Sequence, residues 1–154
     1  MTTSNATAGS RTRTDVQKGA ATVGAVLLIT GIFGFIPGVT DQIDQLRFAG
    51  HDSKALLLGV FQVSVLHNIV HLLFGAAALW QARTASGARS CLMIGGAFYL
   101  AFWVHGLIIN RDSAANFLPV NNDSNWLHLI LGLAMTSMAV FLTRRPGPGQ
   151  PKTQ

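Results

Sequence analysis

Four of the five histidines lie within apolar stretches of the sequence, where an ionisable side chain usually serves a function. His67 and His71 are spaced i,i+4, so both lie on one face of a helix. His105 and His128 come from two later apolar stretches. Neutral imidazole is a common metal ligand and also carries protons near neutral pH. The pattern indicates a metal or haem site, a proton or solute path, or hydrogen bonds that only hold helices together.

Several kinds of metal chemistry are excluded by the residues beside these histidines. Asn68 follows His67, so the H-E-x-x-H pattern of zinc proteases is absent. The chain has no Glu, which excludes a carboxylate-bridged di-iron site as usually built. Cys91 is the only cysteine, so neither a thiolate cage nor an intrachain disulfide forms. Zinc, copper and haem remain as possible cofactors.

The segment before His128 is rich in Asn and contains Asp123. We expect Asp123, Ser124 or Asn125 to cap the last helix. Alternatively, Asp123 could orient an imidazole or ligate a cation. The candidate metal ligands are therefore His67, His71, His128, His105 and Asp123, and the polar residues expected near them are Asn68, Asn121, Asn125 and Gln62.

The composition is that of a membrane protein. The chain has 154 residues, of which 49% are hydrophobic and 11% charged, and the mean hydropathy is +0.39. A soluble domain carries about 25% charged residues. These values exclude an ordinary soluble enzyme, a coiled coil and a disordered chain. They predict an all-α protein, a four-helix transmembrane bundle.

Four apolar stretches predict the spans, and two polar tails enclose them. The second stretch has 28 residues, or about 42 Å as a helix against about 30 Å of hydrocarbon, so we expect part of it to protrude or to bend at Gly59. No internal repeat is expected. The predicted segments are a disordered tail at 1–17, a membrane domain at 18–143 with helices at about 19–37, 55–82, 88–109 and 125–143, and a second disordered tail at 144–154.

Basic residues predict the orientation. Eight of the 11 Lys and Arg residues lie in the two tails, with Lys18 at the N-terminal one, and in the loop before the third helix; three lie in the other two loops. The positive-inside rule then places both termini in the cytoplasm, in an inner (cell) membrane. On this orientation the four histidines lie about 4–15 Å beneath the outer boundary. The basic residues flank spans and form no dense patch, so nucleic acid is not an expected partner.

With these residues assembled, the chain resembles a family of small actinobacterial four-helix membrane proteins, the domain of unknown function 4383. The resemblance covers about residues 18–143. It rests on the segments Gly31–Gly38, Leu58–Gln62, Leu66–Gly75 and Leu118–Asn121, followed by Asp123 and Trp126–His128. The resemblance implies four spans and no particular activity. His105 is not part of the resemblance.

These observations favour a structural or accessory membrane component, in which the histidines form a hydrogen-bonded lock. One alternative is a metal- or haem-binding membrane protein that uses His67, His71 and His128. Another is a small transporter or proton path. Catalysis is not favoured, since the loops hold no nucleophile–base set. The expected partners are the lipid bilayer and a second copy or a larger membrane complex.

Overall fold

The structure, a computed structural model, describes residues 12–142 and contains four helices that confirm the predicted all-α membrane fold. They are α1 (Asp15–Phe33), α2 (Val65–Gln81), α3 (Ala85–Ile108) and α4 (Asn122–Phe141). Helices α1, α3 and α4 are long and apolar enough to cross a membrane. Helix α2 is also apolar but has only 17 residues, about 25 Å. Large apolar side chains are exposed on all four helices, as expected for surfaces that face lipid.

Side-chain caps decide where the helices begin. The cap side chains of Thr14, Ser64, Thr84 and Asn121 accept hydrogen bonds from backbone N–H groups in the first turns of α1, α2, α3 and α4. Because Thr14 forms a capping box with Gln17, α1 begins at Asp15, four residues earlier than predicted. It ends at Phe33, which is also four residues earlier than predicted. The expectation of disorder is therefore wrong for Asp15 to Gln17. Residues 1–11 of the first predicted tail and the whole of the second, 144–154, lie outside the described residues.

The predicted helix at 55–82 is wrong in its first ten residues. Strands β2 (Leu56–Leu57) and β3 (Phe61–Gln62) pair there as an antiparallel hairpin, and β1 (Thr40–Asp41) pairs with β2. The turn of the hairpin contains Leu58 and Gly59, both with positive φ. Side chains of this segment fill a small core of their own, with Ala55, Leu57 and Val63 buried. A short apolar run fits a strand as well as a helix, so periodicity did not distinguish them.

The two connections at one end of the bundle fold together into what we call the cap, residues 34–64 with 109–121. The Gly50 N–H donates a 2.8 Å hydrogen bond to the Phe117 carbonyl oxygen, which joins the two parts of the cap. Residues Arg47 and Phe48 accept hydrogen bonds from the first turn of α2. At the opposite, terminal end, Gln17 Nε2 donates to the Ala82 carbonyl oxygen at 3.0 Å. The first turn of α1 and the ends of α2 and α4 thus share one end of the bundle.

The helices pack as two hairpins, α1 with α2 and α3 with α4, and each hairpin has a close crossing at two glycines. A Cβ atom at Gly24 would lie 2.9 Å from the Gly75 carbonyl oxygen, and one at Gly96 would lie 3.0 Å from the Gly132 carbonyl oxygen. Contacts between the hairpins are far sparser, and most of them join α1 to α3.

The two hairpins are an internal repeat, so the expectation of no repeat is wrong. The pattern Asn-x-x-His-Leu-x-x-Gly occurs at 68–75 in α2 and 57 positions later at 125–132 in α4. The pattern Gly-Ala-x-x-Leu occurs at 24–28 in α1 and 72 positions later at 96–100 in α3. Leu28 packs at Gly75 as Leu100 packs at Gly132. The connections within the hairpins differ in length, so the two intervals differ and no single period is visible in the sequence.

Candidate functional site

His67, His71 and His128 lie side by side near the cap end of the bundle, and we call them the imidazole group. The ring centroids of His67 and His71 are 4.6 Å apart, and those of His67 and His128 are 6.1 Å apart. All three side chains are buried. Helix α2 supplies two of them through its i,i+4 spacing, and α4 supplies the third. Both hairpins therefore contribute to the group.

His67 joins the first hairpin to the cap segment of the second. Its Nδ1 atom lies 3.3 Å from the Pro119 carbonyl oxygen, and both groups are buried. A carbonyl oxygen only accepts, so Nδ1 carries the proton and Nε2 keeps its lone pair. The backbone N–H of His67 donates to Ser64 Oγ at 3.1 Å, which fixes the residue in the first turn of α2.

His71 and His128 occupy equivalent positions of the repeat, and the Nδ1 atom of each is buried. Within residues 12–142 neither Nδ1 has a hydrogen-bond partner. A buried polar atom without a partner costs about 1–3 kcal/mol. Native proteins seldom keep such atoms unless a water, an ion or a ligand satisfies them.

Asn68 and Asn125 are also equivalent, and each is almost fully buried three residues before a histidine. The Asn68 side chain packs against Gly34, and the Asn125 side chain packs against Gly106. Neither side-chain oxygen has a partner within the described chain. The sequence marked both asparagines as candidates. Gly34 appeared there only among the small residues of the segment 31–38, and Gly106 was not marked. Gly34, directly after α1, and Gly106 of α3 leave room for the two asparagine side chains.

His105 stands apart from the imidazole group. Its ring stacks on Phe102 at 5.8 Å, and Phe102 in turn lies 5.0 Å from the ring of His128. The His105 Nε2 atom lies 3.2 Å from the Ala115 carbonyl oxygen in the cap. Its direct contacts are therefore with Phe102 and the cap.

Of the other predicted site residues, Gln62 and Asn121 belong to the cap, and Asp123 lies in the first turn of α4. Asn121, and not Asp123, Ser124 or Asn125, caps α4: its Oδ1 accepts from the Ser124 N–H at 2.9 Å, and its Nδ2 donates to the Val60 carbonyl oxygen at 2.6 Å. The expected N-cap residue is thus wrong, because the actual one lies two to four positions earlier. Within residues 12–142, no hydrogen bond or ion pair links the exposed Asp123 to an imidazole.

A cavity of about 110 Å³ lies between the cap and the imidazole group, and we call it the cap-side cavity. Its walls include all three imidazoles and Gln62, whose Nε2 donates to the Ser53 carbonyl oxygen at 2.7 Å. A second space on the other side of the imidazoles holds only about 10 Å³ and is barely large enough for one water. The arrangement can hold a water, an ion or a small polar group against the rings.

The described residues do not form a ready metal centre. Within residues 12–142, no three His, Cys, Asp or Glu side chains form a group that could hold a metal ion as they stand. Binding a metal through all three imidazoles would require their rings to reorient. Metal binding stays a prediction.

The sequence profile of a family described as a domain of unknown function, DUF4383, matches residues 17–141. The chain belongs to this family. The match covers the cap, the imidazole group and nearly all of the four helices, so the candidate site of this DUF4383 chain lies within the family's domain. No curated protein and no solved structure matches the chain.

Proposed function

We propose that this DUF4383 protein is a structural or accessory component of the cell membrane, in which His67 of the imidazole group locks the two hairpins to the cap. The observation that carries the proposal is the buried contact between His67 Nδ1 and the Pro119 carbonyl oxygen. It joins α2 of one hairpin to the segment that leads into α4 of the other. On this proposal the cap faces outward and both termini face the cytoplasm, because most basic residues lie toward the terminal end.

The lock is tested by substitution of His67 in the purified full chain. His67→Ala leaves the Pro119 carbonyl oxygen unpaired and opens a cavity, so we expect a loss of about 2–4 kcal/mol. His67→Asn keeps an N–H donor near the position of Nδ1 and should recover a clear part of the loss. The measurement is the free energy of unfolding in detergent.

His51→Ala is the matched control, because His51 lies in the cap away from the imidazole group and, in the described chain, its Nε2 contacts only the exposed carboxylate of Asp52, at 3.4 Å. This variant should change stability by less than about 0.5 kcal/mol. If His67→Ala were as stable as His51→Ala, the lock would be refuted.

A second function, binding of a metal or another small polar ligand, is favoured by the unpaired Nδ1 atoms of His71 and His128 beside the cap-side cavity. Zinc and copper suit imidazole ligands. Haem would use His71 and His128, which come from two different helices. Elemental analysis and a visible spectrum of protein purified from metal-replete cells test this function. A colourless, metal-free preparation that also fails to take up added zinc or copper would remove metal and haem from consideration.

A further inference from the structure

A second cavity, deeper in the bundle, is separate from the imidazole lock. It lies between α2 and α3, holds about 200 Å³, and we call it the interhelical cleft. Both hairpins line it with mostly apolar side chains, among them Leu27, Phe74, Ala78, Cys91, Ile94 and Tyr99. Phe74 and Ile94 are also exposed, so the cleft opens sideways toward lipid.

The internal repeat shows that this cleft is a place where the two hairpins differ. Gln81 and Cys91 line the cleft, and their equivalents between α4 and α1 are Met138 and Gly19. There a Cβ atom at Gly19 would lie 3.1 Å from Met138 Sδ, so Met138 packs closely at this point. The repeat predicts equal packing at the two interfaces, but within residues 12–142 Gln81 and Cys91 border the cleft while their equivalents are in close contact.

Aromatic residues also distinguish this interface. Phe98 and Tyr99 of α3 stand where α1 has Val26 and Leu27. The ring centroids of Phe74 and Phe98 are 5.3 Å apart, and their planes are inclined by 57°. A planar ring can therefore contact the face of one phenyl ring and the edge of the other, which are both favourable aromatic contacts.

Two polar side chains, Gln81 and Tyr99, line the cleft, together with the Cys91 thiol. Tyr99 is 4% exposed; within residues 12–142 its hydroxyl makes no hydrogen bond, and its ring lies 5.4 Å from that of His128. A phenol hydroxyl away from water normally finds an acceptor. An occupant with an oxygen acceptor would supply one.

Depth identifies the class of occupant. Tyr99 lies nine residues before the end of α3, about 13 Å below it and close to the middle of a 30 Å hydrocarbon layer. A phospholipid head group stays at the interface, and an acyl chain has no acceptor at that depth. A quinone with an apolar tail has a flat ring, carbonyl oxygens and free movement within the hydrocarbon.

We propose that the interhelical cleft binds a lipid-soluble quinone. Its ring lies against Phe74 and Phe98, one carbonyl oxygen accepts from the Tyr99 hydroxyl, and its tail leaves between α2 and α3 into the bilayer. This site goes beyond the structural role proposed above and does not depend on it.

Cys91 makes the proposal directly measurable, because it is the only cysteine and it lines the cleft. The full chain in lipid nanodiscs is treated with N-phenylmaleimide, and the mass shift of the protein is followed over time. Decylubiquinone is the probe, since its fully substituted ring does not alkylate thiols. We expect saturating decylubiquinone to slow labelling of Cys91 at least fivefold, and 1-decanol at the same concentration to leave the rate unchanged.

Two variants define the site. Tyr99→Phe removes one neutral hydrogen bond and should raise the decylubiquinone concentration needed for half protection roughly threefold to tenfold. Ala77→Phe should fill the cleft and abolish protection. Its matched control is Ala134→Phe, at the equivalent position of α4, which should protect like the parent chain.

Each outcome decides the proposal. Equal protection by decanol and decylubiquinone would show an acyl-chain slot and overturn it, as would an unchanged half-protecting concentration in Tyr99→Phe. If labelling were too slow to follow, the thermal midpoint would be read instead. A midpoint that decylubiquinone raises in the parent chain and in Ala134→Phe, but not in Ala77→Phe, supports the proposal, and one that it leaves unchanged in the parent chain overturns it. None of these results depends on His67, so the lock stands or falls separately.

Discussion

His71 of α2 and His128 of α4 are equivalent residues of an internal repeat: each lies three residues after a buried Asn and four residues before the glycine of its hairpin's close crossing. The Nδ1 atom of each is buried and has no hydrogen-bond partner in the described chain. The repeat thus presents two matched imidazoles to the space between the hairpins. His67 has no such counterpart, because Ser124 stands at the equivalent position of α4.

The unpaired nitrogens predict opposite effects for neighbouring histidines. In protein freed of metal with a chelator, His71→Leu and His128→Leu should leave stability unchanged or raise it by about 1 kcal/mol, since each removes an unsatisfied buried atom. His67→Leu should lower stability, because it leaves the Pro119 carbonyl oxygen unpaired. Chemical unfolding of the three variants in detergent measures the difference.

Added zinc then separates the two proposed functions. At 100 times its dissociation constant a ligand stabilises its protein by about 2.7 kcal/mol. A stabilisation seen in the parent chain and absent from His71→Leu and His128→Leu would indicate binding. If zinc stabilised all three proteins by the same small amount, the structural role would be the one proposal still supported.

The Asn–Gly contact predicts a strong coupling in the first hairpin. Gly34→Ala places a methyl group on the Asn68 side chain and should destabilise by about 1–3 kcal/mol. Asn68→Ala in the same chain makes room, so the double variant should be more stable than the sum of the single changes by at least about 1 kcal/mol. Gly106 and Asn125 provide the matched cycle in the second hairpin, and additive effects in both cycles would contradict the structure.

The close crossings predict equal sensitivity in the two hairpins. Gly24→Ala and Gly96→Ala each drive a methyl group against the backbone of the partner helix, so each should cost about 1–3 kcal/mol. Ala25→Leu, at the next and exposed position of α1, is the control and should cost less than about 0.5 kcal/mol. The thermal midpoints of the purified variants check this. If Ala25→Leu lowered the midpoint and the two glycine substitutions did not, the assignment of the buried and exposed helix faces would be wrong.

Asn121 predicts a graded series, because it caps α4 and also binds the β-hairpin of the cap. Asn121→Ala loses both interactions and should cost about 1–3 kcal/mol. Asn121→Asp keeps the acceptor for the Ser124 N–H but loses the donor to the Val60 carbonyl oxygen, so it should fall between the parent chain and the alanine variant. The free energy of unfolding gives the order. An aspartate variant no more stable than the alanine variant would show that the hydrogen bond from the Ser124 N–H contributes little.

The membrane class and the number of helices were predictable from the amino-acid sequence, because long uncharged apolar runs leave few alternatives in water or lipid. The apolar runs predicted the ends of α3 and α4 to within three residues. In the structure, the N-cap residues Thr84 and Asn121 set where these two helices begin. The family resemblance, which rested in part on short motifs around His67, His71 and His128, was confirmed by the match to the family. The i,i+4 spacing placed His67 and His71 on one face of α2, as helix geometry requires.

Features that depend on contacts between distant segments were not predictable from the sequence and are visible in the folded chain alone. Residues 56–57 and 61–62 form strands because β2 pairs with both β1 and β3, and the pairing with β1 is not recorded in any local pattern. The repeat is recognisable from two equivalent contacts between paired helices, Gly24 with Gly75 and Gly96 with Gly132. Phe102 came between His105 and His128 because of the way α3 packs on α4. Local residue types fix the period and the ends of a helix, but the partner of each face depends on packing between helices that are far apart in the chain.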